Sequence, residues 1–159
     1  MKITIIAVGN LRESFYQEAA KEYLKRLAPM VRVEIIEIKE ASLETKGQEA
    51  LIKQVLEREG QQILKRLPDK AKVIALALKG RQLDSLEFAE LMNPALNPDV
   101  QHLVFIIGGS HGLSDEVYKK ADWCLNFGPM TFPHQLARIM LLEQIYRGQM
   151  ILAGRTYHK

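Results

Sequence analysis

Short apolar runs alternate with longer amphipathic stretches along this chain. The apolar runs are rich in β-branched residues and predict five strands, at residues 2–8, 31–38, 73–78, 103–107 and 123–127. Helical spacing of apolar positions marks the stretches after each strand, at residues 13–28, 45–67, 84–91, 114–120 and 136–146. This regular alternation predicts an α/β fold with an open, mostly parallel sheet and helices on both faces.

Local signals place several of the element ends. Thr45 with Gln48 three residues later is typical of a capping box and predicts the start of the second helix. Asp84 with Glu87 is a second such pair and predicts the start of the third helix. The segment Lys79–Arg81 contains Gly80 and is predicted to form a turn after the third strand.

Two of the helices carry features that bear on packing. In the first helix, the spacing predicts that Phe15, Ala19, Tyr23 and Leu27 share the inward face. In the second helix, Gly60 lowers the helical propensity of an otherwise regular pattern.

The last predicted helix is apolar around most of its circumference. Leucine, isoleucine and methionine fill most of residues 136–146, and such a helix should be buried. A second subunit would cover it most easily, so a homodimer is expected, and burial in the core of a single chain is the alternative. Glu143 and Arg147 have the spacing of an i,i+4 ion pair.

Composition indicates one globular domain over residues 1–159. The apolar share is 47% and the charged share 26%, and no apolar run approaches the ~18 residues of a membrane span. The first residues predict a strand rather than a signal peptide. Cys124 is the single cysteine, which excludes an intrachain disulfide and favours a cytoplasmic location.

Positive charge is concentrated near the C-terminus. Residues 131–159 contain one acid, Glu143, and four cations: Arg138, Arg147, Arg155 and Lys159. A basic segment on a neutral body suggests an anionic partner such as nucleic acid, while solvated cations near a chain end are an equally good interpretation.

Three predicted strand ends are candidates for a ligand site, because ligands of open α/β sheets bind beyond the carboxyl ends of strands. They are residues 76–80, 108–112 and 127–133. The third is the most distinctive, since its two phenylalanines, two prolines, glycine and methionine exceed what an ordinary strand-to-helix connection needs. The glycines at 108 and 109 permit close approach of backbone to a ligand, although a simple tight turn is the alternative.

Several other kinds of site are excluded by their missing motifs. The chain contains neither a G-x-G-x-x-G fingerprint nor a P-loop. Its four histidines do not pair with other ligands at metal-binding spacing, so no metal is expected. The tail, residues 151–159, has no strong pattern, although Tyr157 and His158 with nearby cations suit contact with an RNA base.

Four groups of residues together resemble the large-subunit rRNA methyltransferase H family of the SPOUT superfamily. They are Ile107-Gly108-Gly109-Ser110-x-Gly112-Leu113, Met130-Thr131-Phe132-Pro133-His134-Gln135 with Arg138, Glu143-Gln144-x-Tyr146-Arg147, and Tyr157-His158-Lys159. The resemblance extends from the first residue to the last.

The resemblance implies a fold, a cofactor and an assembly. It implies a C-terminal trefoil knot at roughly residues 103–150, followed by the substrate tail at 151–159. The implied cofactor is S-adenosyl-L-methionine, and the implied assembly is a homodimer with the site completed across the interface. The matching cofactor-binding positions are Leu76, Gly108, Phe127, Gly128, Pro129, Met130, Thr131 and Phe132.

The resemblance also implies methylation of a pseudouridine at ring N3 in a stem-loop of 23S rRNA. On that basis Tyr157 and His158 are expected to hold the base and ease loss of its proton. The expected RNA-binding residues are Arg138, Arg147, Arg155 and Lys159. The alternatives are a SPOUT enzyme with another target nucleotide and a catalytically silent protein that binds RNA or the ribosome.

Overall fold

Five parallel strands form the centre of the structure, a computed structural model that describes residues 1–41 and 48–157. The elements in chain order are β1 (Lys2–Val8), α1 (Ser14–Leu27), β2 (Arg32–Ile38), α2 (Glu49–Leu64), β3 (Lys72–Gln82), α3 (Ser85–Leu91), β4 (His102–Ile107), α4 (Asp115–Lys120), β5 (Trp123–Asn126) and α5 (His134–Leu152). The predicted alternation of strand and helix is therefore confirmed.

The strands lie in the order β2-β1-β4-β3-β5, and all four pairings between them are parallel. All carboxyl ends consequently meet at one edge of the sheet. This confirms the predicted open parallel sheet and places the three predicted strand ends on the same side of the molecule.

Helices cover both faces of the sheet, as predicted. One core joins α1, α3 and α5 to the sheet, and the other joins α2 and α4 to the opposite face. On β4, Leu103 and Phe105 belong to the first core, whereas Val104 and Ile106 belong to the second. A strand buried on both faces needs apolar residues throughout, which explains the continuous apolar runs.

The capping box predicted at Asp84 is confirmed. The Glu87 amide donates to Asp84 Oδ1 at 2.8 Å, and the Asp84 amide donates to Glu87 Oε2 at 2.9 Å. The corresponding prediction at Thr45 lies outside the described residues, and α2 begins at Glu49 after Gln48.

The predicted turn at Lys79–Arg81 is wrong, because β3 continues through it to Gln82. Leu76 pairs with Leu125 of β5, and Arg81 pairs with the same Leu125 after a register shift. Residues 77–80 therefore form an irregularity within β3, and the parts of the strand before and after it both pair with β5.

Two further predictions need correction. Phe15 does not lie on the inward face of α1, since it is 60% exposed and its ring meets that of Tyr16 in a tilted arrangement with centroids 4.4 Å apart. The last helix is longer than predicted and ends at Leu152, so it includes the first two residues of the predicted tail. Among the described helices, none has the length and apolar character required to span a bilayer.

Candidate functional site

Strand register brings the three predicted strand ends together. Ala75 pairs with Ile106 of β4, and Leu76 pairs with Leu125 of β5. Because β3 lies between these two strands, half-buried Leu76 lies beside both Gly108 and the loop that begins at Phe127. The structure therefore assembles a single surface from residues far apart in sequence.

Asn126 organises the loop at this edge. Its Oδ1 accepts a hydrogen bond from the Gly128 amide at 2.8 Å, which forms an Asx turn. Its Nδ2 donates to the carbonyl of Leu78 at 2.6 Å, which ties the irregular part of β3 to the same loop. Sequence reasoning missed this residue, although an asparagine two positions before a glycine was an available signal for a turn.

Gly108 and Gly80 are required by close backbone contacts at this edge. A Cβ at Gly108 would collide with the carbonyl group of Gly112 across a small bridge between Gly109 and Gly112. A Cβ at Gly80 would lie 2.7 Å from the carbonyl carbons of Cys124 and Leu125. The backbone here is therefore packed too tightly for any other residue type without movement.

The loop itself is open and apolar. Met130 is 68% exposed and Leu78, on the neighbouring irregularity of β3, is 65% exposed. Phe127 and Phe132 are half-buried at either end of the loop. Gly128 has a φ of 123°, and a Cβ built on it would meet nothing within 4 Å. This edge thus offers apolar walls beside free space, which suits a ligand with apolar parts.

The described part of the tail, which reaches Tyr157, folds back on α5. The Tyr157 hydroxyl donates to Glu143 Oε1 at 3.3 Å, and its ring lies edge-on to Tyr146 with centroids 4.9 Å apart. The guanidinium of Arg147 lies 4.7 Å from the centroid of the Tyr157 ring. Tyr157 therefore has a defined position on the helix.

Glu143 is the centre of this arrangement. It accepts hydrogen bonds from Arg147 Nη2 at 2.7 Å and Nε at 3.1 Å, and from Gln144 Nε2 at 2.8 Å. The predicted i,i+4 ion pair between Glu143 and Arg147 is thus confirmed. Sequence spacing revealed the pair, but it gave no reason to expect Tyr157 as a further donor.

Burial, followed by the negative charge of Glu143, raises the pKa of Tyr157 above its ordinary value. The phenol is consequently protonated at neutral pH and acts as a hydrogen-bond donor. Tyr157 is therefore suited to hold a partner rather than to accept a proton from it.

The predicted RNA-binding cations lie in different environments. Arg138 is 1% exposed, and its guanidinium donates to Glu37 Oε1 at 2.5 Å and to the carbonyl of Gly9 at 2.7 Å. Arg155 is exposed just beyond α5. His158 and Lys159 lie outside the described residues. Arg147 therefore lies against Tyr157, whereas Arg138 is buried in the interior of the protein.

Tyr157 and the α5 residues it contacts, Glu143, Tyr146 and Arg147, form a tail cluster. Within this chain, the tail cluster and the loop at the sheet edge are separated along α5. The loop meets the helix at His134, whereas Tyr157 contacts residues 143–147. Nine residues from His134 to Glu143 correspond to about 14 Å along a helix axis. Among the described residues of a single chain, Tyr157 and Arg147 therefore lie apart from the predicted cofactor-binding loop.

A separate cleft of about 270 Å³ lies on the β1–β2 side of the same edge. It contains none of the predicted cofactor-binding positions. Its lining residues are Arg12, Glu40, Ala41, Val55, Glu59, Ser110 and His111. Glu59 is 4% exposed and accepts a hydrogen bond from the Ala41 amide at 2.9 Å, while Ser110 Oγ donates to Glu40 Oε1 at 3.1 Å.

No group of three or more histidine, cysteine, aspartate or glutamate side chains with metal-binding geometry occurs in residues 1–41 and 48–157.

Known proteins resemble this chain in family, in sequence and in fold. Residues 1–158 match the family model described as "Predicted SPOUT methyltransferase". The chain is 46% identical over 159 residues to "Ribosomal RNA large subunit methyltransferase H" of Carboxydothermus hydrogenoformans, and the alignment covers 100% of both chains. A solved structure titled as a probable methylase family protein from Haemophilus influenzae Rd KW20 superposes with a TM-score of 0.55 at 14% identity, covering 99% of this chain and 70% of that one. The last match concerns the fold alone.

Proposed function

Because this chain belongs to the SPOUT methyltransferase family, we propose that it transfers a methyl group from S-adenosyl-L-methionine to N3 of a pseudouridine in 23S rRNA. The activity named for the relative from C. hydrogenoformans, which is 46% identical over its full length, supports an rRNA substrate. We further propose that the reaction takes place in the cytoplasm, on the 23S rRNA of the assembled ribosome.

One structural observation carries the proposal. Leu76, Gly108 and the loop at residues 127–132 come from three segments of the chain, and strand register makes them neighbours at one sheet edge. These are the positions at which the family resemblance expects the cofactor.

The residues at this edge fit the cofactor. Exposed Met130 and half-buried Leu76 and Phe132 supply apolar walls for an adenosine group, and the space beside Gly128 is open. When bound, S-adenosyl-L-methionine supplies an electrophilic methyl group on a sulfonium. The loop residues would hold the cofactor. The absence of a side chain at Gly80 and Gly108 allows the neighbouring backbone segments to pack closely beside that loop.

Transfer to N3 also requires removal of the N3 proton, so that the methylated base remains neutral and one proton is released. A phenol is protonated at neutral pH, and the raised pKa of Tyr157 only strengthens this, so we assign Tyr157 the role of holding the base rather than that of accepting its proton. His158 is proposed to ease proton loss, since an imidazole titrates near neutral pH.

The cations of the tail region are proposed to bind phosphate. Arg147 lies on α5 and exposed Arg155 lies just after it, and Lys159 is expected to extend the same basic segment. Arg138 is excluded from this role here, because its buried guanidinium already pairs with Glu37 and Gly9.

A homodimer is proposed to complete the site. The tail cluster and the cofactor loop are separated along α5 in one protomer, so a second copy with its tail near that loop would bring them together. A C-terminal trefoil knot over roughly residues 103–150 is proposed as well, because the chain belongs to the SPOUT family.

The decisive experiment uses the purified protein with labelled S-adenosyl-L-methionine and three substrates in parallel: intact ribosomes, separated subunits and naked rRNA. We expect labelled pseudouridine in the large-subunit RNA, mapped by mass spectrometry of nuclease fragments. Label on another nucleotide would favour a SPOUT enzyme with a different target. Absence of cofactor binding by calorimetry would favour a catalytically silent ribosome-binding protein.

Two variants test the role of the tail. His158→Ala and a deletion of residues 157–159 should reduce methyl transfer by about 10² or more, as expected for loss of acid–base or positioning groups. Binding of S-adenosyl-L-methionine should stay at the wild-type level, because the cofactor site is on another part of the chain. Unchanged turnover in both variants would refute the assigned role.

A further inference from the structure

The tail cluster includes two residues of α1 that none of the preceding roles uses. The Tyr23 ring lies 6.3 Å from the Tyr146 ring, centroid to centroid. The guanidinium of Arg26 lies 5.8 Å from the centroid of Tyr146. Together with Tyr157 and Arg147, these residues place three phenol rings and two guanidinium groups in one patch of α1, α5 and the tail.

The charges in this patch leave Arg26 available to a ligand. Its side chain is 45% exposed, and its ion-pair partner Glu22 is also at the surface, where such pairs contribute little. Arg147 is more enclosed and is held by Glu143. Arg26 therefore presents a cation at the rim, while Arg147 and Glu143 organise the interior of the patch.

The phenols of the patch are hydrogen-bond donors. Burial, followed by the charge of Glu143, raises the pKa of Tyr23, as it does for Tyr157. The groups facing Tyr23 include Arg26 on its own helix, Glu143 and Arg147 on α5, and Tyr157 on the tail. Neutral phenols beside aromatic faces and guanidinium groups are suited to a nucleobase with carbonyl acceptors next to a phosphate.

We propose that Tyr23 and Arg26 of α1, together with Tyr146, Arg147 and Tyr157, form a binding site for one single-stranded RNA nucleotide. Arg26 contacts the phosphate, and the tyrosines contact the base by stacking. The hydroxyls of Tyr23 and Tyr146 donate to the base, since that of Tyr157 already donates to Glu143. The proposal rests on the proposed function, because it concerns how that RNA substrate is recognised. It adds α1 to a recognition surface otherwise assigned to the C-terminal segment.

The test uses the full chain and a fluorescent, uridine-containing single-stranded oligoribonucleotide, with binding measured by anisotropy over a range of salt concentrations. Arg26→Gln should weaken binding about 3- to 10-fold and reduce the salt slope by about 0.7, the change expected for one lost contact to single-stranded phosphate. Arg26→Lys should restore the salt slope. Lys21→Gln removes an exposed cation from a different side of α1 and should bind like the wild type.

Crosslinking identifies the contact directly. An oligonucleotide with 5-iodouridine should crosslink, on irradiation, to peptides that contain Tyr23, Tyr146 or Tyr157. Tyr23→Leu, checked for native circular dichroism, should lose the crosslink at residue 23 and weaken binding about 5-fold or more. Equal binding by the Arg26→Gln and Lys21→Gln proteins, or crosslinks confined to other regions, would overturn the proposal.

Methyl transfer to ribosomes separates this proposal from the proposed function. If the wild type methylates ribosomes and Arg26→Gln leaves the KM for ribosomes unchanged, the α1 site is wrong and the function stands. If the wild type transfers no methyl group but Arg26→Gln still lowers RNA affinity and salt slope, the α1 site stands and the function is wrong. The Kd for S-adenosyl-L-methionine should be the same in every variant.

Discussion

At the residue scale, Arg138 shows how a basic side chain can be part of the interior. Its guanidinium joins α5 to Glu37 of β2 and to the carbonyl of Gly9 after β1. Its Nε is buried and has no hydrogen-bond partner among the described residues. Glu37 is 45% exposed, so water solvates the acid from the outer side while the arginine is enclosed. Arg138 thus links three elements at the carboxyl edge.

Replacing Arg138 with methionine should lower stability without changing RNA contacts. The Gly9 carbonyl would lose a charged donor in a buried position, which costs about 1 to 3 kcal/mol. Urea unfolding measures this loss, with Arg66→Met as a control at an exposed arginine. The folded variant should keep the wild-type salt slope for RNA binding. A slope reduced by about 0.7 or more would instead indicate that Arg138 contacts phosphate.

Glu59 should make stability depend on pH. Burial raises its pKa, and the hydrogen bond from the Ala41 amide opposes that rise only in part. A carboxyl with a raised pKa in the folded state favours folding most at low pH, and this contribution is lost as pH rises through the folded pKa. Ionised Glu59 therefore destabilises the protein at neutral pH.

Glu59→Gln removes the charge and keeps an acceptor for Ala41. We expect a higher Tm than the wild type at pH 7 to 8, and a difference that shrinks as the pH falls below about 4, where the carboxyl becomes protonated in the unfolded chain as well as in the folded one. Glu57→Gln, at an exposed position on the same helix, is the control. A difference in Tm that does not vary with pH would contradict the explanation.

At the element scale, the packing of α2 on α4 depends on Gly60. A Cβ at this position would collide with Ser114 Oγ and lie 3.1 Å from Ser114 Cβ. Ser114 is also the N-cap of α4 and accepts a hydrogen bond from the Val117 amide at 3.4 Å. The glycine that weakens the helical pattern of α2 therefore allows two helices to approach closely.

Gly60→Ala should destabilise the protein although alanine is the better helix former. Overpacking costs about 1 to 3 kcal/mol, which offsets the ~1 kcal/mol gained from helix propensity. Ser114→Gly removes the obstructing atoms at little cost to the cap. Urea unfolding of both single variants and the double variant should show a loss smaller than the sum. Strictly additive losses would argue against the contact.

The third strand shows why some element ends are predictable and others are not. The start of α3 depends on a hydrogen-bond exchange between Asp84 and Glu87, which is local and visible in the sequence. The end of β3 depends on β5, because Arg81 and Gln82 find partners in Leu125 and Asn126. The apolar run stops at Leu78, so the local pattern predicted a turn there. In the structure, pairing with β5 extends the strand beyond that point.

At the scale of the whole molecule, α5 explains the expected dimer. Leu141, Leu142 and Ile145 are buried against the sheet, whereas Leu136 and Met140 are half-buried and belong to neither core of the described structure. An apolar side chain that the monomer covers only in part is suited to an interface between copies.

We expect the wild type to sediment as a dimer, and Met140→Asp should therefore give a monomer in sedimentation velocity. Methyl transfer should fall with dissociation, because the tail and the cofactor loop would no longer come together. Leu96→Asp, at an exposed position between α3 and β4, should leave both properties unchanged. A monomeric wild type, or a Met140→Asp dimer with full activity, would contradict the proposed assembly.

The sequence by itself determined the alternation of strands and helices, and with it the α/β fold and the open parallel sheet, because periodicity, caps and turn residues act over a few neighbours. It also showed the Glu143–Arg147 pair by its spacing on a helix. Only the tertiary structure decided that Phe15 is exposed, that Arg138 is buried, that β3 pairs beyond its predicted turn and that Tyr157 binds Glu143. Each of these depends on which distant segments become neighbours, and that is settled by packing of the whole chain.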